Sequence, residues 1–492
     1  MSQTKLPEWT KQKLNKSLSE NIKLLDDILG VDESFDMLFR KLKYGNQDFA
    51  MYFVDGFVKD DILNRIMEHL SGINPIDLTG DKIKKLLQTE IPYIEIETTD
   101  EIRKVVDNVL SGPLVLLIDG ETTAIVIDAR TYPARGPEEP DIERVVRGSR
   151  DGFVETIIFN TALTRRRIRD PNLRFEFMQV GTRTKTDICV AYIKDVVDEG
   201  YVKTLKQKIE AVDIDGLPMA EKSLEEYIFR KQWNPYPFVR YTERPDVAAV
   251  HLLEGHCLVY VDTSPSVMIT PSTFFHHVQH AEEYRQEPAT GAFLRWTRLL
   301  AILMSLFLLP VWYFLATHVE ILPSWLAFIG VQEAVAIPIY LQIILAEIGI
   351  EILRMASIHT PSPLATAMGL IAAILLGEIA IEVGWFSPEV ILYVAIAVIG
   401  TFATPSYELG LANKLTRMIL LTVTALFGGW GLVLGSGAWF IWLSRQNALN
   451  TPYLWPLIPF NGKALKDVLI RTPMPNKHKR PSIVSPQDPD TQ

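Results

Sequence analysis

Before residue 290, hydrophobic and polar positions alternate with helix and strand periods; beyond it they barely alternate. In LSENIKLLDDILG, residues 18–30, apolar positions recur every three to four residues, and residues from about 8 to 44 read as amphipathic helices on that pattern. DFAMYFVDGFVKDDILNRIMEHL carries an apolar run from Phe49 to Val54, a turn at Asp55 and Gly56, and helical spacing after it, which predicts a strand, a turn and a helix. PLVLLIDGETTAIVIDAR repeats the strand and the Asp-Gly turn, with a second strand returning from Thr122 to Ile127. YVKTLKQKIEAVDIDGLPMAEKSLEEYIF is helical and amphipathic. VAAVHLLEGHCLVYVDTSPSVMITPSTFF is a third β-rich stretch with a turn at its EG. The expectation is two small α/β subdomains with amphipathic helices, over 1–110 and 111–290.

After Arg295 and Arg298 comes LLAILMSLFLLPVWYFLATH, residues 299–318, without an acidic or basic side chain other than its final histidine. That is enough to cross a hydrocarbon layer of ~30 Å at about 1.5 Å per residue. Further apolar blocks run from Ile321 to Ile352, Ala365 to Ala380, Val390 to Thr404 and Met418 to Leu443. So many blocks predict a polytopic α-helical membrane domain over 291–445, giving an α+β region followed by a helical membrane region. Arg295 and Arg298 precede the first span and THVEILPSWLAFIGVQE after it lacks Lys and Arg, which orients the α/β region to the cytoplasm. Five crossings put the basic tail, 446–492, outside. Four full spans plus one broken or surface helix, the arrangement favoured, put it inside but leave Lys414 and Arg417 outside.

Charge sharpens this division. Residues 1–290 hold 37 of the 49 Lys and Arg and 48 of the 59 Asp and Glu, so the front is acidic, which argues against a nucleic-acid-binding surface. The two cysteines, Cys189 and Cys257, suit a reducing cytosol, and the first residues lack the apolar core of a cleavable signal, so targeting is expected from internal segments. NTALTRRRIRD concentrates Arg165, Arg166, Arg167 and Arg169, read as solvated or interdomain salt-bridging arginines before a phosphate patch. His276 and His280 stand at i, i+4 without a Cys or carboxylate to complete a metal site, and no cofactor is expected. The absence of a Walker loop, HExxH, nucleophile elbow or complete dinucleotide fingerprint argues against an enzyme.

The candidate chemistry lies in charges among apolar residues. Glu347, Glu351 and Arg354 fall at i, i+4 and i+7 on one face of a helix read as beginning at Glu333 and kinked by Pro338. That face reads as a structural seam closed by Glu351 and Arg354, an ion pathway, or a partner contact. Glu378 and Glu382 repel at i, i+4, and a ring of such carboxylates from several subunits would attract cations. The alternative for Glu382 is an interface position. Gly428, Gly429, Gly431, Gly435 and Gly437 in the last span read as a packing face, with a gate at Gly428 and Gly429 as the alternative.

EPDIERVVRGSRDGFVETIIFNTALTRRRIRDPNL, residues 139–173, resembles the most recognisable block of the GerA family of spore germinant receptor A subunits. VGTRTKTDICVAYI, EGHCLVYVDTSPSVMITPSTFF, AEIGIEILRMAS and GLIAAILLGEIAIEVG follow in the family's order, so the resemblance runs from about residue 25 to 460. It implies a multi-pass protein of the spore inner membrane with a cytoplasmic two-part N-terminal domain. It also implies a membrane domain that assembles with itself, as a pentamer, around a pore through which monovalent cations leave the spore core, in contact with lipid and with other germination membrane proteins. A nonconducting scaffold or sensing subunit is the alternative. Two departures stand out: RMASIHTP, where receptor subunits commonly continue REAG, bears on coupling to companion subunits, and Glu378 and Glu382, where they tend to carry glutamines, bear on cation preference.

Overall fold

The computed structural model describes residues 7–491 except 45, 74–81, 88–90, 92, 94, 131–142, 144, 230–232, 333–334, 359–368, 370–374, 474 and 476. Its front half is built twice on one plan. Strands β1 (Met37–Tyr44), β2 (Gln47–Val54), β3 (Ile96–Thr99), β4 (Leu114–Ile118) and β5 (Ala124–Ile127) form an antiparallel sheet in the order β1-β2-β4-β5-β3. Helices α1 (Leu18–Leu29) and α3 (Ile102–Ser111) cover one face and α2 (Asp60–Ser71) the other. Along β2, Ala50, Tyr52 and Val54 meet α1 and α3 while Phe49 and Met51 meet α2. With both faces covered, β4 is apolar throughout and shows no alternation.

Strands β6 (Leu173–Val180), β7 (Thr186–Ile193), β8 (Arg240–Thr242), β9 (Cys257–Val261) and β10 (Val267–Thr270) repeat that topology as β6-β7-β9-β10-β8. Here α4 (Ile157–Arg167) and α7 (Pro245–Leu253) cover one face, α5 (Glu199–Glu210) and α6 (Ala220–Phe229) the other. The likeness reaches single hydrogen bonds. In α1, buried Asn21 accepts from the Asn15 N–H at 2.9 Å and donates to its carbonyl at 2.7 Å; in α4, buried Asn160 does the same to Val154 at 2.8 and 2.6 Å. Leu18 and Ile157 each donate a backbone N–H to a turn aspartate, Asp119 and Asp262, both at 3.1 Å. An asparagine amide supplies both a donor and an acceptor, so one side chain satisfies a backbone unit that enters a helix without helical partners.

Three expectations for this half are corrected. Residues 37–44 are strand β1, not helix: they pair residue for residue with β2, and the exposed Arg40, Lys41 and Lys43 of an edge strand create the charge pattern that mimics a helix. VAAVHLL lies in helix α7, where Pro245 at the first turn starts the helix and packing outweighs the β preference of valine. The first unit does not end at residue 110, because β4 and β5 close its sheet. The arginine run joins the two units: Arg165, buried, meets buried Asp36 at 2.8 Å, while Arg167 pairs with Asp151 at 2.7 Å.

Helix α8 (Pro288–Thr317) leads into the apolar region, followed by 3-10 turns at Val319–Ile321 and Ser324–Ile329 and by α9 (Ile339–Ile358). A π turn, Leu375–Ile379, runs into Ala380–Glu382; then come α10 (Pro388–Phe402), α11 (Tyr407–Ser444) and, in the tail, α12 (Gly462–Leu469). The block from Ile321 to Ile352 is therefore not one span. Pro338 kinks nothing, since α9 begins after it and the Pro338 carbonyl accepts from Gln342 N–H at 3.1 Å, a place where a missing donor costs little. Glu333, and most of the block from Ala365 to Ala380, lie outside the described residues.

Helices α8 and α11 are long and apolar enough to cross a membrane. The block from Met418 to Leu443 is nonetheless not one span. Gly428 sits at φ +61° and ψ −143° inside α11 and breaks it into 407–427 and 429–444. The halves return on each other: the Tyr236 hydroxyl reaches both Thr416 and Trp439 at 2.9 Å, and a Cβ at Gly431 would strike the Val423 carbonyl. The tail accordingly comes back to the base of α8, where Arg295 donates to the Asp467 and Val468 carbonyls at 2.9 Å.

Candidate functional site

The face of α9 that carries Glu347, Glu351 and Arg354 packs against the first half of α11. Arg417 Nη2 lies 2.7 Å from Glu347 Oε1, and both side chains are fully buried. Lys414 Nζ bridges the carboxylates, 3.3 Å from Glu347 and 2.7 Å from Glu351. Arg354 closes the row, its Nε 3.0 Å from Glu351 and its guanidinium 4.9 Å from the Tyr407 ring centre. Arg417 also donates to the carbonyls of Ser305 on α8 and Ala397 on α10, so one cation ties four helices together. Three cations thus meet two carboxylates, and Glu351, Arg354, Lys414 and Arg417 line a cavity of about 150 Å³ beside the row. Charges removed from water demand this degree of pairing, because a buried carboxylate without its partner costs several kcal/mol.

Glu378 and Glu382 are placed differently. Both are exposed on the single chain, on the π turn and the helical turn after it, beside exposed Ile379, Val383 and Trp385. Among the described residues no Lys, Arg or His comes within ion-pair distance of either. The structure therefore brings Glu347, Glu351 and Arg354 together and leaves Glu378 and Glu382 apart from them. Gly431 and Gly435 lie where the two halves of α11 meet, against Val423 and Leu420; Gly429 lies against Phe314; Gly428 is the reversal itself; a Cβ at Gly437 would meet open space. His276 lies 5.1 Å from His256 and 6.2 Å from His251, ring centre to ring centre, and no group of His, Cys, Asp and Glu suited to a metal occurs among the described residues. Burial, with neighbouring charge second, lowers the pKa of all three, His256 to about 3.

Residues 23–483 match the family described as Bacillus/Clostridium GerA spore germination protein. The chain belongs to the GerA family. It is 49% identical to stage V sporulation protein AF of Bacillus subtilis (strain 168), over 98% of each chain. It is 31% identical to spore germination protein KA of the same strain, over 96% of this chain and 88% of that one. The N-terminal domain of the A subunit of the Bacillus megaterium spore germinant receptor GerK3 matches with a TM-score of 0.43 at 26% identity, over 54% of this chain and 98% of that domain.

For a GerA-family chain, the two departures noted in the sequence fall on positions of opposite kind. Arg354, which opens RMASIHTP, is held in the paired row; Glu378 and Glu382 stand on the unpaired surface. Lys414 and Arg417 are the site residues that reading along the chain missed, taken there only as charges that complicate orientation. Their signal was present: two cations at i, i+3 in an apolar helix match two carboxylates at i, i+4 in another. Gln342 was missed too. Fully buried, it donates to the Ile337 carbonyl at 2.7 Å and accepts from Ser387 N–H at 2.9 Å, fixing the start of α9 to that of α10.

Proposed function

We propose that this GerA-family protein assembles with itself into a closed ring, a pentamer, in the spore inner membrane and conducts monovalent cations out of the spore core during germination. One observation carries the reading: Glu378 and Glu382 lie without a basic partner, among the described residues, on a surface whose other exposed side chains are apolar. Facing lipid, each carboxylate would cost about 2.5 to 3.5 kcal/mol on insertion scales, so this surface belongs against water or another protein. A ring of copies supplies both, gathering like carboxylates around a hydrated axis that favours cations. The α/β units and the returning tail lie on the cytoplasmic side, next to Arg295 and Arg298, and form the assembly or gating ring.

The paired row on α9 and α11 supports a second reading, a nonconducting scaffold or sensing subunit, because Glu347 and Glu351 are held by this chain's own cations. Reconstitution separates the two. Liposomes carrying the intact oligomer pass potassium or sodium under the first reading and neither under the second, with the oligomer's mass and symmetry measured on the same preparation.

A further inference from the structure

We propose that the cavity enclosed by α12, the C-terminal tail and the base of α8 binds a phosphate-bearing anion. This cavity, of about 220 Å³, is lined by six cations, Arg295, Lys463, Arg471, Lys477, Lys479 and Arg480, against two carboxylates, Glu254 and Asp467. The proposal goes beyond conduction: none of these residues belongs to the row on α9 and α11 or to the surface of Glu378 and Glu382.

Pairing leaves much of this charge uncompensated. Glu283 takes Arg295, Glu254 takes Lys477 and Asp488 takes Arg480, whereas Lys463, Arg471 and Lys479 have no carboxylate within ion-pair distance among the described residues. Two of the arginines are at least nine-tenths buried and still hold an unused donor. Arg295 spends Nε on Glu283 and Nη1 on the Asp467 and Val468 carbonyls, leaving Nη2 without a partner. Arg471 spends Nη1 on the Gln286 carbonyl and Nη2 on that of Tyr284, leaving Nε without one. Both unspent donors are themselves closed to water, so what an anion in the cavity meets is the charge of these guanidinium groups, which phosphate oxygens neutralise. Arginine forks flanked by flexible lysines suit the several oxygens of a phosphate better than a single carboxylate.

The shared chemistry has two sources, a free phosphoanion from the cytosol or the headgroup of an anionic phospholipid. Trp455 at the rim and exposed Phe460 nearby give the cavity an apolar margin of the kind found at membrane interfaces. Full-length protein in phosphatidylcholine nanodiscs, titrated with inorganic pyrophosphate by calorimetry, tests the first source. Native mass spectrometry of protein exchanged into detergent with dioleoylphosphatidylglycerol or dioleoylphosphatidylcholine tests the second. The expected result is binding in at least one arm, phosphatidylglycerol over phosphatidylcholine in the second. That binding should fall at least tenfold in the exposed double variant Lys463→Gln/Lys479→Gln and stay unchanged in Lys203→Gln on α5. Arg471→Gln serves as a second variant wherever its oligomer mass matches the parent. Binding in neither arm, or binding equal in parent and double variant, overturns the proposal.

Discussion

Glu347 with Glu351 and Glu378 with Glu382 are the same motif twice: two carboxylates four residues apart in an apolar stretch. Their surroundings differ completely. The first pair is met by Lys414 and Arg417 from α11 and by Arg354 from its own helix; the second meets none among the described residues and lies on the surface of the chain. Spacing and hydropathy do not separate a paired carboxylate from a bare one; the arrival of a cation from a distant helix does. A carboxylate neutralised within its own chain holds helices together, and one left bare on an apolar surface has to be answered by water or by another copy.

Breaking the buried pair from one side should have the largest effect. Arg417→Met leaves buried Glu347 with Lys414 alone, at 3.3 Å, and should cost about 3 kcal/mol, read as a collapse in melting temperature or yield in detergent. Removing both charges, Glu347→Leu with Arg417→Met, should recover most of that loss, because the desolvation cost goes with the pair.

Buried His251 and His256, with half-buried His276 beside them in the α/β half, extend the comparison to groups that avoid the cost by staying neutral. His251, His256 and His276 have pKa values lowered by burial and neighbouring charge. An unfolded chain binds protons below about pH 6.5 while the folded cluster does not, so stability is full above that pH and falls as pH drops toward 3. His256 contributes about 1 kcal/mol per pH unit inside that window, and His251 and His276 add to the loss in the same direction. Unfolding of full-length protein between pH 7.5 and 5 should show the slope, and His256→Gln should flatten it. Glu254, raised by burial but lowered further by Lys477, adds loss in the same direction only in more acidic solution.

The outer end of the row should be worth less. Glu351→Gln keeps the shape, leaves Arg354 its Tyr407 contact and should cost about 1 kcal/mol by melting. Smallest of all should be the effect on stability of Glu378→Gln, within about 0.5 kcal/mol for an exposed side chain, although cation selectivity should weaken. A large destabilisation there, or unchanged selectivity, would erase the contrast between the two pairs.

Much of the α/β half was legible because strand alternation and turn residues act locally. Val54, Asp55 and Gly56 end β2 where the pattern places a turn, but Asp55-Gly56 and Asp119-Gly120 both belong to the first unit, so their repetition is not the duplication that the two sheets show. What stayed hidden depended on distant partners. Strand β1 carries lysines because only one of its edges is paired; the function of Asn21 and Asn160 lies in backbone six residues away. In the helical half, hydropathy marked the apolar blocks but not the reversal at Gly428, since a glycine in an apolar run fits a packing face as well as a turn. The arginines of NTALTRRRIRD were legible as solvated or interdomain side chains, but not that Arg165 is the one that crosses to Asp36.

Thiol accessibility in the assembled protein tests the central claim most directly, and the native cysteines leave the background clean because Cys189 and Cys257 are both buried. Glu378→Cys, Glu382→Cys and Glu351→Cys, each with its oligomer mass verified, are treated in liposomes with a small charged methanethiosulfonate reagent. The account predicts rapid labelling at 378 and 382, with conduction altered, and slow labelling at 351. Protection at 378 and 382, or a particle that remains monomeric, would contradict it.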